Sequence, residues 1–274
     1  MDPRPIGMFD SGVGGLTVLH ECLVSIPEED FIYLGDTGRF PYGPRSADEI
    51  KSYAWQIASH LLSLDVKLLV VACNSATAAA LPWLQERLMA TVIGAVLPES
   101  EAAARTTRNR RVGVLATEAT VASGSYERAL LNLDAGLEVF LQPCPRLASL
   151  IQEGDVSSPE MVETVKHYAA PLREAGADTV ILGCTHYPLV TPMLQRTFGR
   201  DVILINSARE MSLEVGDVLK RMGIANDPSR EGKYSFLCTG DVDSFRRVGA
   251  RFLQMPLTSV ERVKISDLER TGVA

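Results

Sequence analysis

Short apolar, β-branched runs alternate along this chain with longer stretches whose apolar residues recur at helical spacing, the pattern of an α/β protein with mainly parallel sheets flanked by helices. Ile6–Asp10 reads as a strand running into a glycine loop at 11–15, with a helix over Leu16–Ser25 behind it. Phe31–Gly35 reads as the next strand. Ser46 then opens a helix, and Glu49 completes a capping box with it. Ile50, Tyr53, Ala54, Ile57, Ala58, Leu61 and Leu62 keep to one face of that helix. Residues 68–73 are a continuous apolar run, as a strand covered on both faces requires.

After Pro98 the pattern starts again. It predicts a strand at 112–116, a helix at 119–131, a strand at 137–141 and a helix opened by Ser158 and Pro159. A second buried strand follows at 179–184 and another at 202–205, and Ser207 with Glu210 forms a capping box for a helix to about Met222. A strand at 234–237 and a helix at 243–253 close the chain.

The two passes share a grammar. LLVVACNSA (68–76) and VILGCTHYP (180–188) are each an apolar strand, a cysteine, then two polar residues opening a new element. VGVLATEAT (112–120) echoes IGMFDSGVG (6–14) more weakly. This predicts two similar domains, residues 1–97 with 208–274 and residues 98–207, each presenting a cysteine at the carboxyl end of a strand, where open α/β sheets place ligands.

Composition narrows the partners. A net charge of −7 over 274 residues, with dispersed basic residues, argues against nucleic acid. No apolar run approaches a membrane span, and the N-terminus lacks a signal peptide's pattern, so a cytoplasmic protein is expected. The five cysteines, Cys22, Cys73, Cys144, Cys184 and Cys238, contain no C-x-x-C pair, which gives neither a zinc site nor a disulfide framework.

A thiol at a strand end, with a helix starting behind it, feels the positive end of the helix dipole; this predicts a lowered pKa for Cys73 and Cys184. Asn74 and Ser75 stand ready to donate hydrogen bonds beside Cys73, as do Thr185 and His186 beside Cys184. One buried cysteine is as readily an inert packing residue. Two at equivalent points of two halves favour chemistry, and Cys22, Cys144 and Cys238 fall to packing. Opposed thiols suit a reaction that removes a proton from one face of a carbon and returns one to the other, each acting as base or acid in turn.

Backbone N–H groups of the glycine loop, at the start of a helix, offer a place for an anion such as a carboxylate, and Asp10 reads equally as an active-site residue or a helix cap. In the loop at 35–44, Tyr42 offers the best polar reach into a pocket; His186 reads as a satisfied core histidine or as the polariser of Cys184. The six lysines, Lys51, Lys67, Lys166, Lys220, Lys233 and Lys264, include none at a strand end in a pocket position, so a Schiff-base cofactor is not expected.

The segments IGMFDSGVGGLTVL (6–19), YLGDTGRFPYGPRS (33–46), VVACNSATA (70–78), VGVLAT (112–117) and LGCTHYPL (182–189) resemble the glutamate racemases of the aspartate/glutamate racemase family. The resemblance implies two α/β domains with the active site between them, a homodimer, glutamate as substrate, and no metal, nucleotide or pyridoxal phosphate. It implies that Cys73 acts on D-glutamate and Cys184 on L-glutamate, assisted by Asp10 and His186 respectively. Asp10, Ser11, Tyr42, Gly43, Asn74, Ser75, Thr185 and His186 would hold the substrate's charged groups. D-Glutamate of this origin serves peptidoglycan.

Two departures stand out. The family usually has threonine where Ser75 stands, and glutamate where CPRLASLIQEG (144–154) has Gln152, with Glu153 beside it. The N-terminus is short, so dependence on a peptidoglycan-precursor activator is not expected. The rival readings are an aspartate racemase or related diacid isomerase on the same plan, and a regulatory binding protein without turnover; intact Cys73 and Cys184 speak against the second.

Overall fold

The computed structural model describes residues 1–154 and 156–271. In chain order, the first half contributes β1 (Ile6–Asp10), α1 (Leu16–Ser25), β2 (Phe31–Gly35), α2 (Ala47–Ser63), β3 (Leu68–Val71), α3 (Asn74–Arg87) and β4 (Val92–Gly94). The middle of the chain contributes α4 (Val96–Thr106), β5 (Arg111–Ala116), α5 (Glu118–Ser123), α6 (Ser125–Leu133), β6 (Glu138–Pro143), α7 (Leu147–Glu153) and α8 (Pro159–Glu174). Then come β7 (Thr179–Gly183), a 3-10 turn at Tyr187–Val190, α9 (Thr191–Phe198), β8 (Ile203–Asn206) and α10 (Ser207–Met222). The chain ends with β9 (Tyr234–Cys238), α11 (Val242–Leu253), β10 (Val260–Arg262) and α12 (Ile265–Thr271).

The strands form two sheets, in the orders β10-β9-β2-β1-β3-β4 and β6-β5-β7-β8, and every pairing is parallel. The block β2-β1-β3-β4 of the first sheet matches β6-β5-β7-β8 position for position. The echo between residues 6–14 and 112–120 is therefore structural: β5 is the counterpart of β1, and β7 of β3. The central strands β1, β3 and β7 are buried throughout, as expected of strands with helices on both faces. β9 pairs with β2, which brings the C-terminal stretch back to the first sheet.

Ser46 caps α2 through the capping box read from the sequence, and Ser158 caps α8 with Pro159 in its first turn. The box expected at Ser207 does not form. Asn206 caps α10 instead, accepting from the Ala208 N–H at 3.0 Å, while the Ser207 hydroxyl donates to the buried Glu99. The expected helix at 119–131 is two helices, broken at Gly124, whose φ of 64° only glycine adopts without cost. The expected strand at 137–141 runs over Glu138–Pro143. Helix α7 escaped prediction because its seven residues are too few for the helical period to show.

Away from the strands' carboxyl ends, Lys67 and Glu29 form an ion pair at 2.7 Å with both side chains fully buried. The ammonium also donates to the Asp2 and Ile224 carbonyls, each at 2.8 Å, so the pair ties the start of the chain and the segment after α10 to β3. Removing one partner of such a pair strands a charge in the interior. Lys67→Met is expected to lower stability by about 3–5 kcal/mol in urea unfolding, and a loss near zero would show the pair to be idle.

Candidate active site

β1 ends at Asp10, β3 leads through Ala72 to Cys73, β5 leads to Thr117, and β7 leads to Cys184. These carboxyl ends converge on one cavity of about 500 Å³, counting its mouth. Ser11, Cys73, Asn74 and Ser75 wall it from the first sheet's side; Thr117, Cys144, Cys184, Thr185 and His186 wall it from the second's. Tyr42 and Gly43 form part of its lip, beside Phe40. Nine of the ten residues singled out from the sequence thus line the cavity.

Asp10 is the tenth and sits one layer back, fully buried. One oxygen accepts from the Gly12 N–H at 2.9 Å and the other from the Thr185 hydroxyl at 3.1 Å, across the seam between the halves. It is not the cap of α1, which lacks a side-chain cap. Within the glycine loop the Gly12 and Gly15 N–H groups turn to Asp10. Burial pushes the Asp10 carboxyl up to about 6, held back by hydrogen bonds from Gly12, Thr185 and Gly15.

Cys73 is the N-cap residue of α3, so the helix N-terminus does face its thiol. Burial nevertheless pushes that thiol up to about 11, with the Asp10 charge adding to the rise; the Ala76 N–H and Ser11 oppose it. Burial likewise raises Cys184 well above the ordinary thiol range, against the His186 N–H. The expected lowering of both is overturned, because removing a thiolate from water outweighs one helix end.

His186 Nδ1 lies 3.9 Å from the Cys184 sulfur, and its Nε2 lies 3.1 Å from the Gln152 Oε1. Burial lowers the ring to about 3, so it is a neutral imidazole. With Nε2–H donated to Gln152, Nδ1 turns its lone pair toward the thiol. Phe40 stacks on this ring at 5.5 Å between centroids, and Phe252 of α11 meets it edge-on at 5.1 Å. Glu153 is exposed on a neighbouring groove with Arg247 and Arg251, so Gln152 alone holds the place beside His186.

The Tyr42 hydroxyl is spent on Asp36, to which it donates, so the polar reach expected of that hydroxyl is not what Tyr42 brings to the cavity lip. Ser75 shares a hydrogen bond of 2.8 Å with Thr117. Thr117 was missed as a site residue, although the echo of residues 6–14 in 112–120 aligns it with Ser11. Phe40 and Ser149 carried no sequence signal, and Cys144, assigned to packing, is both buried and a wall of the cavity. Among the described residues no cluster of His, Cys, Asp or Glu could hold a metal ion, and no helix is long and apolar enough to cross a membrane.

Two like-ordered parallel sheets that meet over paired thiols define a class of isomerase scaffold, and sequence comparison agrees. The model of the Asp/Glu/Hydantoin racemase family matches residues 18–210, and the chain belongs to that family. It is 39% identical over 260 residues to a glutamate racemase of Bacillus cereus, covering 95% of this chain and 97% of that one. It superposes on a glutamate racemase isoform from Bacillus anthracis with a TM-score of 0.93 at 40% identity, covering 97% of this chain and 99% of that chain. The Francisella tularensis glutamate racemase solved with D-glutamate gives 0.90 at 34% identity, covering 96% of this chain and 98% of that chain.

The raised thiols set a reactivity. Alkylation of Cys73 by iodoacetamide, followed by peptide mass spectrometry, is expected to be slow near pH 7 and to climb steeply toward about pH 11. Fast labelling that is flat between about pH 7 and 9 would instead mean a thiolate at neutral pH.

Proposed function

We propose that this protein interconverts L- and D-glutamate by passing the α-proton between Cys73 and Cys184, without an added cofactor. The observation that carries the reading is that these two thiols stand at equivalent strand ends of matching sheets and wall one cavity. The relatives named as glutamate racemases, one of them bound to D-glutamate, supply the substrate.

In the direction from L-glutamate, Cys184 as thiolate takes the α-proton and becomes a thiol. Cys73 as thiol then delivers its proton to the opposite face and becomes a thiolate; the reverse direction exchanges the roles. The substrate is itself dianionic at its carboxylates, so those groups need donors. The Thr117, Ser75 and Ser11 hydroxyls and the backbone N–H groups behind the cysteines are at the cavity for this. The flat His186 lone pair is placed to receive the Cys184 proton, and the Asp10 carboxylate lies behind Cys73 and Thr185 to draw on the Cys73 proton. A water-poor cavity strengthens each of these interactions. The D-glutamate product would feed peptidoglycan, and the working form would be a homodimer, which sedimentation at micromolar concentration reads directly.

The deciding experiment incubates the purified protein with L-glutamate in D2O, with chiral chromatography of the product and NMR at Cα. D-Glutamate carrying deuterium at Cα, formed by the wild type but by neither Cys73→Ala nor Cys184→Ala, is the expected result. Absence of exchange with glutamate, together with exchange of aspartate or another diacid, would move the activity to that substrate.

The pH profile gives a second test with a definite sign. Asp10 is a carboxylate above about 6 and neutral below, so kcat/KM is expected to fall as pH drops through about 6. Asp10→Asn should remove that limb and lower kcat by about 10²-fold or more; a limb that survives in the variant would assign it to another group.

A further inference from the structure

Asn74, expected to donate a hydrogen bond beside Cys73, directs its amide protons elsewhere. Its side chain is 2% exposed, lines the cavity, and spends both amide protons on the side away from it. One goes to Glu99 Oε1 at 2.9 Å and the other to the Tyr126 hydroxyl at 2.8 Å. Its Oδ1 is buried and has no partner among the described residues. An amide whose nitrogen is fully engaged presents only an acceptor on its free side.

Glu99 is what fixes this orientation. It is fully buried on α4 and accepts from Asn74, from the Ser207 hydroxyl at 2.5 Å and from the Tyr126 hydroxyl. Tyr126 in turn accepts from Asn74 while donating to Glu99, so its hydroxyl is spent in both directions. Three donors from α3, α6 and α10 converge on one carboxylate, and none of them can reverse without setting a buried acceptor oxygen against that carboxylate. A ligand group that satisfies Asn74 Oδ1 must bring an N–H. Glutamate offers one such group, the α-ammonium; its carboxylates would be repelled there.

We infer that Glu99 is a positioning residue that holds the Asn74 amide with its oxygen toward the cavity, so that Asn74 receives the substrate's α-ammonium. The inference rests on the proposed glutamate reaction and specifies how that site tells an amino acid from a plain diacid. Glu99 does not touch the substrate and acts through Asn74. In Glu99→Gln the new amide presents a donor to at least one of its three donor neighbours, and the Asn74 amide loses its fixed orientation.

The test compares glutamate with glutarate, which keeps both carboxylates and lacks the ammonium, at about pH 8, where the Glu99 carboxyl, pushed up to about 7 by burial, is ionised. Glu99→Gln is expected to raise KM for both enantiomers about tenfold, with kcat changed less than about threefold and the inhibition constant of glutarate within about twofold of wild type. In an Asn74→Ala background the same change should add less than about twofold to KM. An unchanged KM, an equal loss for glutarate, or full additivity in the double variant overturns the assignment. If Glu99→Gln does not fold, Tyr126→Phe frees one Asn74 proton while keeping the carboxylate, and it should show the same split in smaller measure. Wild-type protein that fails to racemise glutamate would sink the proposed reaction itself. Calorimetric affinities of D-glutamate and glutarate for wild type and variant would then still decide the positioning role.

Discussion

Thr185 Oγ1 donates to Asp10 Oδ2 at 3.1 Å, and this one bond crosses the seam between the two sheets at the point where their strand ends meet. Thr17 reinforces it from the start of α1, reaching the Thr185 carbonyl at 3.1 Å. Gly14 makes the approach possible: a Cβ there would stand 2.3 Å from Thr185 Oγ1 and 2.5 Å from His186 Nδ1, so no other residue fits without moving the second half. With the halves pressed together in this way, Cys73 and Cys184 face a common space, and the groups around them are cut off from water. The position of the cavity and the energetics of its ionisable groups both descend from that contact.

The same closure sets the electrostatics. Inside the seam burial dominates, raising Asp10 to about 6 and Cys73 to about 11 and lowering His186 to about 3. Each shift favours the uncharged form, as a low-dielectric environment requires. The resting site therefore holds few charges, and a thiolate must be made at the moment it is used. In the proposed reaction the arriving substrate brings an ammonium into a space walled by these groups. A positive charge there stabilises thiolate and carboxylate alike, so ionisation of the site and binding of the substrate favour each other.

The alternation of apolar strands with helical stretches made the α/β class legible, and the matched strand–cysteine–polar segments pointed to both sides of the cavity. These signals are local: burial on two faces writes itself into consecutive residues. What the sequence hid depends on where side chains point after folding. Nothing in GDTGRFPYGP shows that the Tyr42 hydroxyl turns to Asp36 while Phe40 stacks on His186. Ser207 followed by Glu210 has the spacing of a capping box, yet a buried acceptor, Glu99, claims the hydroxyl and leaves the cap to Asn206. The thiol pKa values depart from the sequence expectation for the same reason. A helix N-terminus is visible in sequence, whereas the degree of desolvation belongs to the assembled seam.

Gln152 keeps the seam beside His186 neutral. A carboxylate 3.1 Å from Nε2 would favour an imidazolium, whose Nδ1 carries a proton and can only donate toward Cys184. The neutral amide accepts from Nε2–H without adding charge, and it leaves Nδ1 as an acceptor 3.9 Å from the sulfur. The Cys184 side thus carries a neutral acceptor while the Cys73 side has the Asp10 carboxyl behind it, and the two thiols are served by different chemistry. Since a racemase must run both ways, each direction then starts from a thiol with its own activating partner. Of the two partners only Asp10 titrates near about 6, and because the equilibrium constant between enantiomers is one at every pH, that titration shapes kcat/KM equally in both directions even though the two thiols are activated differently.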